Sequence, residues 1–74
     1  MPSISSDTFV RVLVRAGFVV YRASSAATIL ERGSRAVVVP SRRRLAADII
    51  SDLRRMAGLT WREIDDLIRE EMAR

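Results

Sequence analysis

The chain contains no cysteine, no histidine and no lysine. Each absence closes a branch of chemistry. Without cysteine there is no disulfide, no thiolate nucleophile and no thiolate-bound zinc. Without histidine, the side chain best matched to proton transfer near neutral pH is missing. Without lysine, Schiff-base chemistry and Ser–Lys dyads are impossible. Nine carboxylates, Tyr21 and the chain N-terminus remain for acid–base work. As written, the sequence is a poor candidate for an active enzyme. Long apolar runs are missing too. None approaches the roughly 20 residues of a membrane span, and Met1-Pro2-Ser3 lacks the basic start of a signal peptide. The expectation is a cytoplasmic protein with no membrane partner, no metal and no cofactor.

What is present fits one small domain over residues 1–74. A chain this short, with nothing covalent to staple it, is expected to gain stability from a partner or from homodimerisation. The net charge is +4 and the isoelectric point about 11.3. All 13 basic residues are arginine. That repertoire suits bidentate contact with phosphate, and equally an acidic protein partner. Genomic base composition is a further source of an arginine bias.

Ser5, Ser6 and Asp7 are good N-cap types, and Phe9, Leu13 and Ala16 follow at helical spacing with Val10 and Val14 beside them. Gly17 is a natural stop, so the spacing predicts a helix over about 6–16. Asp7 and Arg11 are placed to pair along it. Three β-like runs follow within about 18–39: Phe18–Arg22, Thr28–Leu30 and Ala36–Val39. Ala23–Ala26 joins the first two, Glu31–Arg35 reads as a hairpin loop, and Pro40 ends the third. A second helix is expected over about 45–57, carrying Leu45, Ile49, Leu53 and Met56, with Gly58 as its C-cap. Thr60-Trp61-Arg62-Glu63 matches the capping box and opens a third helix over about 61–72. The order is α-β-β-β-α-α, an α+β domain with helices on one sheet face.

The densest positive group is Arg42, Arg43 and Arg44. It reads either as a nucleic-acid backbone contact or as a solvated loop. Asp65, Asp66, Glu70 and Glu71 are the densest acidic group. They alternate with Arg62 and Arg69, the pattern of a solvated helix face rather than of a metal site. Asp48 and Asp52 read as surface, with Asp52 in reach of Arg55. The stripe Trp61, Ile64, Ile68 and Met72 reads equally as core and as a partner or dimer surface. Ser24 and Ser25 form a turn or hydrogen-bond a phosphate or ribose. Neither is a catalytic nucleophile, because no histidine or lysine exists to activate it.

Taken in order, Ala16-Gly17-Phe18, Arg35-Ala36-Val37-Val38-Val39-Pro40 and Met56-Ala57-Gly58-Leu59-Thr60 resemble the HicA toxins of HicA–HicB toxin–antitoxin systems over nearly the whole chain. The resemblance implies a double-stranded-RNA-binding-like α-β-β-β-α fold with an extra C-terminal helix. It implies an mRNA endoribonuclease (an mRNA interferase) as the activity, and a HicB-type antitoxin that covers the active site as the partner. Members carry Gly-Ser-His or Gly-Gly-His between the first two strands, and that histidine is catalytic. Here the matching tripeptide is Ser24-Ser25-Ala26. Counting back from Pro40 places the family's histidine at Ala26. A methyl group neither takes nor gives a proton, and losing a general acid or base costs on the order of 10²–10⁴-fold in rate.

The leading expectation is therefore a HicA-type toxin in a catalytically inactive form. An engineered replacement and a natural loss of activity would both leave alanine at position 26. Arg22, Ser24, Ser25, Arg42, Arg43 and Arg44 are the expected RNA-binding residues, with RNA (mRNA) as ligand. The alternatives are a non-catalytic RNA- or DNA-binding module, and an interaction protein whose arginines dock an acidic partner.

Overall fold

A computed structural model describes residues 4–73. The element order is α1 (Ser6–Arg15), β1 (Val19–Ala23), β2 (Ala27–Arg32), β3 (Arg35–Pro40), α2 (Ala47–Ala57) and α3 (Trp61–Met72). The fold is α+β: a helix, three antiparallel strands in the order β1-β2-β3, then two helices.

Helix α1 starts where the Ser5 hydroxyl accepts a hydrogen bond from the Thr8 N–H at 3.2 Å. It buries Phe9, Val12 and Leu13. Val12 joins the buried face in place of Ala16, which is only partly covered. The helix closes at Gly17, whose φ of 96° is open to glycine alone among common residues. Phe18 then donates its N–H back to the Leu13 carbonyl. Phe18 thus belongs to the helix stop, and β1 begins one residue later than the apolar run suggests.

Strands β2 and β3 are longer than their β-branched stretches. Arg32 pairs with Arg35, so the hairpin loop is the two residues Gly33 and Ser34 rather than Glu31–Arg35. Gly33 has a φ of 60°, the setting of the first central residue in a type II′ turn. Pro40 closes the β3 ladder opposite Ala27. It tolerates that end position because the missing N–H is not required of it there.

Helix α2 starts at Ala47, not 45. The Leu45 N–H donates to the Ile4 carbonyl at 2.8 Å, which holds Leu45 outside the helix as a buried anchor. Its inward face is Ile50, Leu53 and Ala57, while Met56 is exposed. Gly58 ends it in the left-handed conformation. The Arg35 guanidinium lies 2.5 Å from where a Gly58 Cβ would stand, and Arg35 Nη1 donates to the Met56 carbonyl at 3.3 Å. Helix α3 carries the full capping box: Thr60 Oγ1 accepts from Glu63 N–H, and Glu63 Oε1 accepts from Thr60 N–H.

The buried face of the sheet presents Leu30, Val37 and Val39 to α1 and α2. Ile64 and Ile68 of α3 complete the same cluster by packing beside α1. Among the described residues no helix covers the opposite face of the sheet. Among the described residues no helix is long and apolar enough to cross a membrane.

Candidate nucleic-acid interface

The link between β1 and β2 is a tight turn built by Ser24. Its N–H donates to the Ala27 carbonyl at 2.9 Å. Its hydroxyl accepts from the N–H groups of Ala26 and Ala27, each at 3.2 Å. Ser24 therefore spends its hydrogen bonds within the turn. Ser25 and Ala26 sit at the tip, both exposed.

Register carries this turn to the arginine connector. Ala27 stands opposite Pro40, so the residues just beyond each strand meet. The Ser41 N–H donates to the Ala26 carbonyl at 2.9 Å. Position 26 and the start of Ser41–Arg44 are thus in direct contact.

The connector is fixed from its other side by Ser6, the only buried polar residue among the described residues. The Ser6 hydroxyl accepts from the Arg42 N–H at 2.6 Å. It also lies in hydrogen-bonding contact with the Pro40 and Arg42 carbonyls. The Ser6 N–H donates to the Arg42 carbonyl at 3.0 Å. The N-terminus of α1 and the connector enclose a shallow groove of about 400 Å³ lined by Ser5, Ser6, Asp7, Ser41, Arg42 and Arg43. Arg42 and Arg44 border a second depression with Asp48.

The arginines divide into two sets. Arg11 and Arg15 each reach Glu71 at 2.8 Å, clasping α3 to α1. Arg32 donates to the Ala16 carbonyl at 2.6 Å and covers the Phe18 ring. Arg35 and Arg54 satisfy carbonyls around the α2–α3 corner, and Arg54 also stacks on Trp61 at 4.8 Å. Arg55 and Arg69 pair loosely with Asp52 and Asp66. Arg11, Arg15, Arg32, Arg35 and Arg54 serve the fold, whereas the exposed pairs of Arg55 and Arg69 add little to it. Among the described residues, the side chains of Arg22, Arg42, Arg43, Arg44 and Arg62 make no hydrogen bond or ion pair with the protein. Four of those five are the arginines singled out in the sequence for RNA. Asp7 and Asp48 border the grooves but come within ion-pair distance of none of them.

Charge is also polarised. Residues 4–60 carry ten arginines against four carboxylates, whereas α3 carries two arginines against five. Glu71 is not on a solvated face as its neighbours are. Its hydrogen bonds from Arg15 and then Arg11 hold its carboxyl below the usual range. Arg11 thereby chooses Glu71 over Asp7. Glu63 is lowered as well, first by the Thr60 backbone N–H and then by the Thr60 side chain. Among the described residues no three carboxylates assemble into a metal-holding group.

The stripe on α3 splits. Ile64 and Ile68 are buried in the core, so they are not a partner or dimer surface. The helix must cover its apolar side against α1, and these two residues do it. Trp61 and Met72 remain exposed, but they stand at opposite ends of the helix, about 16 Å apart along its axis. They do not form one patch.

Ser6 escaped the sequence reading as a connector anchor, because it was grouped with Ser5 as an N-cap. The available signal was redundancy: α1 needs one cap, and Ser5 supplies it. Comparison with protein-family models, curated proteins and solved structures returns no match.

Proposed function

We propose that this chain is a HicA-type RNA-binding domain on a double-stranded-RNA-binding-like scaffold, inactive as a ribonuclease because alanine stands at position 26. The observation that supports this best is the bond from the Ser41 N–H to the Ala26 carbonyl. It joins the turn where the resemblance expects the catalytic histidine to three consecutive arginines whose side chains have no partner among the described residues.

The chemistry follows from those groups. Arg42, Arg43 and Arg44 offer forked donors for phosphate oxygens beside the turn. A backbone held there would pass position 26. A histidine at that position would act as general acid–base on the ribose 2′-hydroxyl or the leaving oxygen. Alanine leaves binding without proton transfer. The same unpaired cations suit an acidic antitoxin surface of the HicB type, which would compete with RNA for them.

Ala26→His tests the reading. The position is exposed, and its N–H already bonds to Ser24, so the turn accepts a larger side chain. The histidine variant is expected to cleave RNA and arrest growth on expression, with rescue by a HicB-type antitoxin, while the present chain is harmless. A folded histidine variant that binds RNA but never cleaves it would leave a non-catalytic nucleic-acid module as the correct description.

A further inference from the structure

The open face of the sheet carries a feature that the arginine connector does not explain. Val20 pairs with Leu30 and Arg22 with Ile29, which leaves Tyr21 as the extra residue of a β-bulge. In a bulge, two residues stand opposite one, so Tyr21 and Arg22 share Ile29 as their partner. Leu30, Val37 and Val39 face the helices. Ile29 and Val38, paired with each other, therefore lie on the open side, as does Val19. Tyr21 and Val19 are 67% and 68% exposed.

Tyr21 differs from the other aromatic side chains. Phe9 and Phe18 are buried, and Arg32 covers the Phe18 ring. Trp61 has Arg54 over it. Among the described residues, Tyr21 alone of the aromatics stands well exposed with no cation on its ring, next to Arg22, whose side chain has no partner there. It is three residues from Ser24, about 10 Å along the strand. The only carboxylate on this part of the sheet, Glu31, sits opposite Val19 at the end away from the turn.

We propose that Tyr21, with Arg22 and the Ile29–Val38 pair, is a stacking platform for an unpaired base, so that the RNA taken by this chain is single-stranded. This rests on the RNA-binding reading above. A base has two π-faces and is sequence-tolerant as a stacking partner, and an arginine beside the aromatic ring holds the adjoining phosphate. In a duplex the bases are stacked on one another and present no free face to Tyr21. The strand would run from the platform past Arg22 to the turn and the connector.

The test compares a fluorescein-labelled 12-nucleotide single-stranded RNA with the corresponding duplex by anisotropy at one salt concentration. The single strand is expected to bind more tightly. Tyr21→Ala should weaken it roughly 5- to 150-fold, the range for losing one stacked base, and leave duplex binding unchanged. Tyr21→Phe should retain affinity, because the ring remains. A 2-aminopurine placed in the single strand should be quenched by the parent chain and not by Tyr21→Ala. Circular dichroism checks the fold, which an exposed side chain does not support. If Tyr21→Ala binds the single strand as the parent does while replacement of Arg42, Arg43 and Arg44 abolishes binding, the platform is wrong and the RNA reading stands. If Tyr21→Ala changes only sedimentation, from dimer to monomer, the face belongs to a second copy and the platform is wrong. If the parent chain binds neither RNA, both readings fall.

Discussion

Replacing Ser6 by alanine isolates what the fold does for the arginine connector. The hydroxyl is buried, accepts from the Arg42 N–H at 2.6 Å, and contacts the Pro40 and Arg42 carbonyls. Alanine removes one oxygen and leaves the helix position otherwise suited, since alanine is the best helix former. The Arg42 N–H loses its partner in a part-buried place. An unmet donor there costs about 1–3 kcal/mol. The Ser6 N–H still donates to the Arg42 carbonyl, so the connector is loosened rather than released, and about 2 kcal/mol is the expected loss. For a domain of this size that lowers Tm by roughly 8–16 °C. Thermal unfolding followed by circular dichroism gives the number. RNA affinity should fall too, although every arginine is present, because the connector is no longer pinned beside the turn. Ser6→Ala with an unchanged Tm and unchanged affinity would refute the reasoning that Ser6 positions the site.

The divided stripe on α3 gives a second contrast. Ile64→Ala should cost about 2–5 kcal/mol, a large share of the roughly 4–11 kcal/mol expected for the whole chain, whereas Trp61→Ala, at a side chain 40% exposed, should cost less, mainly its part-buried stack with Arg54 of about 0.5–2 kcal/mol; equal urea midpoints for the two variants would contradict this placement. Acid stability follows from Glu71. Its carboxyl is held below the usual range by Arg15 and Arg11, so its contribution is present above the unfolded pKa near 4.3 and is lost as pH falls through the lower folded value. Tm should stay nearly flat from pH 5 to 7, where no histidine or cysteine titrates, then fall in more acid solution, and Glu71→Gln should shrink that acid fall; an unchanged acid slope would show that the α1–α3 clasp does not form.

Different parts of this fold were legible in the sequence to different degrees. Helix α3 was read to its residues, because the capping box and the apolar stripe agree. Helix α2 was read only partly in phase: Leu53 is buried and Ile49 packs against the core, but Met56 is exposed, and Ile50 and Ala57 carry the rest of the buried face. Ile49 and Ile50 are adjacent, so two stripes fit equally, and only packing against β3 selects Ile50, Leu53 and Ala57. Local pattern placed Ser24–Ala26 and Arg42–Arg44 in separate loops. Their contact depends on the β2–β3 register, which a long-range pairing decides. The role of Glu71 was hidden for a similar reason, since its partners lie 56 and 60 residues away. Charge counting found the arginine surplus, and its densest run, Arg42–Arg44, is spare, but it did not show which of the remaining arginines the fold claims. That distinction needed the carbonyls at the ends of α1 and α2, which claim Arg32, Arg35 and Arg54.

The central claim is that the spare arginines of the connector bind an RNA backbone, and the salt dependence of binding tests it most directly. The affinity of the chain for a single-stranded oligoribonucleotide, measured across a salt series, should fall linearly with log salt. Replacing Arg42, Arg43 and Arg44 together by alanine removes up to three phosphate contacts. The slope should become shallower by about 2, at roughly 0.7 per lost contact on a single strand, while the Tm stays within a few degrees of the parent because none of these side chains bonds to the protein. A folded triple variant that keeps the parent slope would contradict the claim and return the connector to the role of a solvated loop.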